Sequence, residues 1–534
     1  MSGNGDMLLF ALNASFAHQA LGVLTLSAYI NSRMNQNVCV VLECNVNERD
    51  DEIFYKLYSN AKEKKIVGFS CYIWNIEKML KFAENLKKLL PDIYIVFGGP
   101  EVSYYNKNNK NNKNNQKDFP ELYPFVDFLI PGEGEEQLFE LCMDLNKSNG
   151  CTQFTPNNYN NNSHEILYKN AGDYHTVYYE SSRGCPFKCS YCISGIDTET
   201  ETNNKKVRAK NVEQVLTELK FIEDKYYLCE NSRINIIKFC DRTFNFNITR
   251  SNELYKSLIE RACGYQNNPE YNKYNKKLLP YQFEIYPDLF DKNSFEILKQ
   301  APPNLFHIEI GIQSLNLQTL ESIGRKKTDI DLILNNIAKI KSLNNIHIHL
   351  DLIAGLPYED LQSFIDGFNI LYNKICDNND TSGTGTGEDF IQIGFLKLLR
   401  GTRIREKAEL HEYIYESSPP YTVLQNKYMN FGEIMFLHDI EKIYKRYISK
   451  AYSKAFAYVY KNYFPEKVFD LFRTLSAYWR DNNLFDRAVS QKDAFTAFFN
   501  AFKYLPDDSK ILSGLLTEDY YLYEKKRLNL DNID

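Results

Sequence analysis

The chain has 534 residues, a quarter of them charged, a formal net charge of −6 and 12 cysteines. That length exceeds one ordinary domain and predicts three, each long enough to bury a core. An acidic balance gives no electrostatic reason to expect nucleic acid or an anionic membrane as partner. No apolar run nears the ~20 residues of a transmembrane helix, and no signal peptide is expected ahead of Met7. Most of the cysteines are scattered, which argues for reduced thiols in a cytoplasmic setting rather than a disulfide framework.

Met7–Leu12 predicts a buried strand, then a loop through Asn13 to His18 and a helix near Ala20–Ile30. Val38–Leu42, Ile66–Ser70, Ile93–Phe97 and Phe125–Ile130 predict further strands, with helical periodicity over Ile76–Leu90. Short apolar strands alternating with helices predict a parallel, doubly wound, Rossmann-like sheet. Its ligand belongs beyond the carboxyl ends of the strands. Ser70, Trp74, Gly98, Gly99, Gly132, Glu133 and Gly134 fall there, and the glycines permit close approach of a bulky ligand. No Gly-x-Gly-x-x-Gly follows the first strand, which disfavours a nicotinamide site. Asn106–Lys117 and Asn157–Asn162 are low-complexity runs that build no core. The predicted units are 1–150, a linker over 151–170, a central domain over 171–405 and a helical domain over 406–534.

The central region predicts strands at His175–Ser181, Ile234–Phe239, Tyr281–Tyr286, Phe306–Ile312, Ile346–Ile353 and Phe390–Leu398, separated by helices. Six such units fit a partial (β/α)6 barrel with its chemistry at the carboxyl end of the strands. Directly after the first of them comes Arg183-Gly184-Cys185-Pro186-Phe187-Lys188-Cys189-Ser190-Tyr191-Cys192. Three thiolates from one short loop suit a [4Fe–4S] cluster that keeps one iron open to a small molecule. Zinc is the rival reading, but no fourth Cys or His follows in Ile193–Asn203.

The Cys-x-x-x-Cys-x-x-Cys run, with Tyr191 before the last cysteine, resembles the signature of the radical S-adenosylmethionine (SAM) enzymes. Val67–Trp74, Val96–Ser103 and Pro131–Glu136 are similar to the cobalamin-binding domain that precedes the barrel in many of them. The Asp-x-His-x-x-Gly motif that supplies a cobalt-ligating His elsewhere is absent, and His18 reads as an ordinary loop residue. The resemblance implies three cofactors: a [4Fe–4S] cluster on Cys185, Cys189 and Cys192, SAM, and cobalamin on the strand-end set named above. It further implies that Asp241 and Arg242 receive the ammonium and carboxylate of SAM, that Glu284 accepts ribose hydroxyls and that Arg325 meets the carboxylate. Gln313 lies in a matching Gly-x-Gln-Ser stretch, while Leu396 and Tyr191 flank adenine. Plainer readings stand beside these: a surface pair, a solvated edge residue, a strand-end amide.

The implied reaction is formation of a 5′-deoxyadenosyl radical, with cobalamin delivering a methyl group to an unactivated carbon of a small-molecule or peptide substrate. The alternatives are radical cyclisation, rearrangement or oxidation without methyl transfer, and a non-catalytic corrinoid- or cluster-binding sensor. An electron donor such as flavodoxin or ferredoxin is the implied partner, with no membrane and no nucleic acid. Beyond Pro419-Pro420-Tyr421, a rigid joint, aromatic residues recur at helical spacing through Tyr428–Ile448, Tyr452–Tyr463, Val468–Trp479 and Phe485–Phe502. Asp380–Asp389, with its Thr-Gly alternation, reads as a flexible insertion.

Overall fold

The computed structural model describes residues 6–15, 18–34, 36–105, 119–148, 163–194, 207–271, 273–325, 328–375, 390–448, 450–505, 509–525 and 528. The Asn-rich runs and the 380–389 insertion lie outside the described residues.

Five apolar runs pair as a parallel sheet: β1 (Met7–Asn13), β2 (Cys39–Asn45), β3 (Ile66–Ser70), β4 (Tyr94–Gly98) and β5 (Phe128–Ile130). Their order is β2-β1-β3-β4-β5. Alternate residues of β1 feed two cores: Leu8, Phe10 and Leu12 join Phe69 and Phe82, while Met7 and Leu9 join Val23 and Ile30. Burial on both faces is why these strands read as continuous apolar runs. The chain passes β1 on one side to β2 and then returns to β3, so the crevice opens between the carboxyl ends of β1 and β3. Asn75 and Trp74, just past β3, both donate to the Leu12 carbonyl across that point, at 3.2 and 3.1 Å.

The second sheet is also parallel: β6 (Thr176–Tyr179), β9 (Ile236–Phe239), β10 (Tyr281–Ile285), β11 (Phe306–Gln313), β12 (His347–Ala354) and β13 (Phe390–Phe395), adjacent in chain order. The short pair β7 (Ser182–Arg183) and β8 (Arg208–Ala209) stands apart as an antiparallel ribbon. Parity sorts the barrel residues. Phe239, Phe283, Ile308, Ile310 and Leu350 are buried against the helices. Lys238, Gln282, Glu284, Glu309 and Asp351, of opposite parity, line the interior: Lys238 and Gln282 donate to Glu309 at 3.0 and 2.8 Å. Helix Ile248–Asn267 starts where the Asn247 side chain caps it, accepting from Arg250 N–H.

A hairpin, β14 (Ile414–Tyr415) with β15 (Val423–Gln425), follows the barrel and leads into five longer helices, Phe431–Tyr447, Ser453–Tyr463, Val468–Asp481, Gln491–Phe502 and Ser509–Glu524. Their aromatics share one core with the barrel. Phe368 of helix Leu361–Ile375 meets Tyr444, Phe469 and Phe472 edge-on, and the Tyr444 hydroxyl accepts from Ile391 N–H of β13 at 2.8 Å. The bundle therefore thickens the flank of the barrel at its last strand. No described helix is long and apolar enough to cross a membrane.

Candidate functional site

The cysteine loop is fastened on three sides. Beneath it, the Asp241 carboxylate accepts the N–H groups of Ser181 and Ser182 at 2.8 and 3.0 Å and the Ser182 hydroxyl at 2.7 Å. The Ser181 hydroxyl donates to it as well, and Arg250 reaches the Ser181 carbonyl at 3.1 Å. On the second side, Ser190 N–H donates to the Ile323 carbonyl at 2.9 Å. Gly324 (φ +89°) is so close there that a Cβ would lie 2.8 Å from the Lys188 carbonyl. On the third, Ile404 N–H donates to Ser190 O at 3.0 Å and Arg403 to Lys188 O.

Cys189 is buried, Cys185 and Cys192 half-buried. Burial raises the Cys185 thiol, and the neighbouring Cys189 and Cys192 thiols add to the effect, with Thr243 Oγ1 at 3.6 Å. Among the described residues no three His, Cys, Asp or Glu side chains are placed to hold a single metal ion. A cubane takes its cysteines at three different irons, so its thiols stand further apart than those of a tetrahedral zinc site. The donor set, three neighbouring thiols on a pinned loop with no fourth ligand beside them among the described residues, fits the cluster rather than zinc.

Around the loop the expected SAM residues divide. Arg325 donates to the Gly311 carbonyl and, at 3.3 Å, to the Tyr191 hydroxyl. Its guanidinium lies 5.2 Å over the Tyr286 ring, which stacks on Phe187 of the loop at 4.1 Å. Its Nε is buried with no partner, an orphan donor beside the thiols that fits a bound carboxylate. Gln313 ends β11 in the left-handed region (φ +74°), a strained conformation for a non-glycine residue. Glu284 faces the interior, its carboxyl raised by burial and then by Glu309. Arg242 is exposed. Leu396 is 3% exposed, packed in one cluster with Ile323 and Ile404, against which Tyr191 lies.

Asp241 departs from expectation. It is fully buried and its oxygens are taken up by the two serines, so it clamps the loop and offers no free acceptor to an ammonium group. Asp351, Lys238, Glu309, Tyr286 and Thr243 were not singled out from the sequence, although the inward parity of the first three was readable. Burial, with the Glu309 and Glu284 carboxylates next, pushes Asp351 up to about 8.

Behind the site, buried Glu359 accepts from the Ser314 hydroxyl, and burial pushes its carboxyl up to about 8. A carboxyl that binds its proton more tightly folded than unfolded stabilises the protein fully below the unfolded value. That contribution is lost as pH rises through the folded one. Glu359→Gln should therefore flatten the fall in Tm between pH 6 and pH 9, a comparison thermal melts at both pH values would make.

At the carboxyl ends of the first sheet, Gly99 (φ +108°) sits where a Cβ would lie 2.6 Å from the Cys71 carbonyl, and Gly132 (φ +74°) opens onto empty space. Trp74 is 46% exposed and stacks on Tyr72 at 4.3 Å, whose hydroxyl bonds to Ser70. Gly98 passes from β4 directly into this turn. The open Gly132 and the exposed Trp74 fit a broad flat ligand such as a corrin, whereas Gly99 is needed for the close approach of the Cys71 backbone. Glu133 instead is bound across the domains by Arg208 and, at 3.4 Å, Arg183. His18 forms a bridge to Thr176 and meets Tyr178 edge-on. Three strand ends of this sheet thus meet the central domain: β1 through His18 at the first residue of β6, β3 through Tyr72 beside Cys240 and Arg242, and β5 through Glu133 on the β7–β8 ribbon.

Known proteins agree with this arrangement. The B12 binding domain family matches residues 7–138, the radical SAM superfamily residues 179–369, and a family described as a protein of unknown function (DUF4080) residues 409–533. The 2-(S-pantetheinyl)-carbapenam-3-carboxylate methyltransferase of Streptantibioticus cattleyicolor is 26% identical over 354 residues, 59% of this chain and 46% of that protein. The cobalamin-dependent radical SAM methyltransferase TokK of Streptomyces tokunonensis is 26% identical over 347 residues, 58% of this chain and 45% of that protein. The chain thus spans less than half the length of these curated relatives. Among solved structures, the radical SAM methyltransferase TsrM of Kitasatospora setae, with cobalamin and a [4Fe–4S] cluster bound, superimposes with a TM-score of 0.54 at 12% identity, over 78% of this chain and 82% of that one. The cobalamin-dependent SAM radical enzyme OxsB, with aqua-cobalamin bound, gives 0.53 at 15% identity, over 99% and 77%. At such identities these two likenesses establish the fold.

Proposed function

Since this chain is a radical SAM protein with a B12-binding domain ahead of its barrel, we propose that it methylates an unactivated carbon of a small-molecule or peptide substrate. When bound, the cluster and SAM supply the 5′-deoxyadenosyl radical that removes hydrogen, and cobalamin supplies the methyl group. Cys185, Cys189 and Cys192 hold the cluster in this reading. Arg325, through its orphan Nε, receives the SAM carboxylate, Arg242 and Glu284 its other polar groups, and Gln313, Tyr191 and Leu396 border the nucleoside. Ser70, Trp74, Gly98, Gly99 and Gly132 form the corrin shelf, with Glu133 holding the shelf to Arg208. A low-potential donor such as flavodoxin or ferredoxin delivers the electron.

One observation carries the reading: the ends of β3 and β5 come up to the carboxyl end of the barrel, Tyr72 beside Cys240 and Arg242, and Glu133 on Arg208 and on Arg183, two residues ahead of Cys185. Radical formation and group transfer at one carbon require that proximity. The interior row of Glu284, Glu309 and Asp351, with Lys238 at 3.0 Å from Glu309 and Arg242 and Arg325 as further cations, excludes bulk apolar packing there and leaves polar walls.

The test is anaerobic reconstitution with iron, sulfide and hydroxocobalamin, desalting, and metal analysis. About four irons and one cobalt per chain, with 5′-deoxyadenosine released on reduction in the presence of SAM, are the expected results. Iron without retained cobalt would overturn methyl transfer and leave radical rearrangement or oxidation. Retained cofactors with no SAM cleavage would leave a sensor.

A further inference from the structure

The turn after Gly98–Gly99 carries Glu101, which is 6% exposed and whose N–H donates to the Cys71 carbonyl at 3.2 Å. Glu101 is therefore rigid with the end of β3 as well as that of β4. Its carboxylate accepts from the hydroxyl of Tyr421, 320 positions later in the chain. Arg400 Nε donates to that same hydroxyl at 2.7 Å and lies 3.5 Å from the carboxylate. The Arg405 guanidinium covers the Tyr421 ring at 4.7 Å.

Tyr421 is 1% exposed and adopts φ +61°. A non-glycine residue there is strained and persists only where its surroundings over-determine it. Here the surroundings are Leu398 N–H on its carbonyl at 3.0 Å and its own N–H on Ser418 O at 3.0 Å. A buried carboxylate–guanidinium contact adds little net stability over apolar packing, because desolvation consumes the Coulomb gain. What it does add is direction: two rigid elements meet in one relative placement.

We propose that Glu101, Tyr421 and Arg400 form a latch that sets the height of the Gly98–Gly99 shelf over the barrel mouth, making Glu101 and Tyr421 positioning residues for the cobalamin-dependent step. The inference rests on the reading of that shelf as the corrin seat. It also gives the segment after the barrel a task in the reaction, since Tyr421 stands in the hairpin that precedes the helical bundle.

The test uses the full chain loaded with iron, sulfide and hydroxocobalamin, comparing wild type with Tyr421→Phe, Glu101→Gln and the double variant. Iron content and SAM cleavage should stay within about twofold of wild type. Cobalamin affinity should fall by about tenfold. The electron paramagnetic coupling between cob(II)alamin and the reduced cluster should change, because it reports their separation, which a purely structural contact would leave alone. The double variant should be no worse than the worse single one, as expected for groups acting as a unit. Arg400→Lys, which keeps a donor and a charge, should recover part of the coupling.

Wild-type affinity and unchanged coupling in Tyr421→Phe would overturn the latch while leaving the corrin seat standing. Failure of wild type itself to retain cobalt would remove both. If Tyr421→Phe also lost its iron, Arg400→Gln, which removes the outer partner without touching the buried ring, would be judged by the same two readouts.

Discussion

Cys189→Ala should leave reconstituted protein almost free of iron and abolish reductive cleavage of SAM, while Cys240→Ala keeps both. Cys189 is the buried member of the three, at the middle of a loop whose backbone is held by Ile323, Gly324 and Ile404. In the proposed reading the loop offers three thiols for the cluster, so no spare ligand from it replaces Cys189. Removing a supporting group around a metal typically costs 10–100-fold in affinity, and removing a ligand costs more. Cys240 is the informative control because it lies at the neighbouring end of β9. Burial pushes its thiol up to about 12, so it stays protonated and does not offer a thiolate. Iron content and the visible absorption of both variants decide the matter. Iron retained by Cys189→Ala would remove the cluster assignment itself.

Much of this architecture was legible because parallel strands buried on both faces announce themselves. Ile66–Ser70 coincides with β3, and Tyr281–Tyr286 and Phe306–Ile312 come within one residue of β10 and β11, each bounded by a change of hydrophobic period that a single sequence carries. The cysteine loop was legible for a similar reason: its spacing is local. Asp241 was misjudged through parity, since Phe239 of β9 points outward into the core. Asp241, two residues on, shares that side and turns to Ser181 and Ser182, whereas Arg242 follows Lys238 and Cys240 toward the interior. Glu133 with Arg208 and Glu101 with Tyr421 are different, being 75 and 320 positions apart. Nothing local marks either acid as paired rather than as a ligand contact. Only the approach of one domain to the other creates those pairs.

The Asp241 clamp makes a prediction that separates it from a SAM contact. Asp241→Ala strands the N–H groups of Ser181 and Ser182, which donate to Oδ1 at 2.8 and 3.0 Å in a site closed to water. Each stranded donor costs about 1–3 kcal/mol, so the loss of stability is roughly 2–6 kcal/mol for the two. The hydroxyls recover some of their bonding by rotating, which is why they are left out of that sum. The damage should also be local, because the strand end released is the one that leads through Gly184 into Cys185. Iron should be lost along with several degrees of Tm. Asp241→Asn keeps one oxygen for both N–H groups, and the two serine hydroxyls turn to accept its amide. It should therefore hold its iron, melt near wild type, and bind SAM with unchanged affinity. A residue receiving the SAM ammonium would differ in one readout, with Asn folding normally but binding SAM poorly. Calorimetric melts, iron analysis and SAM titration on the two variants discriminate these outcomes, and weakened SAM binding by well-folded, iron-loaded Asp241→Asn would return Asp241 to the ligand.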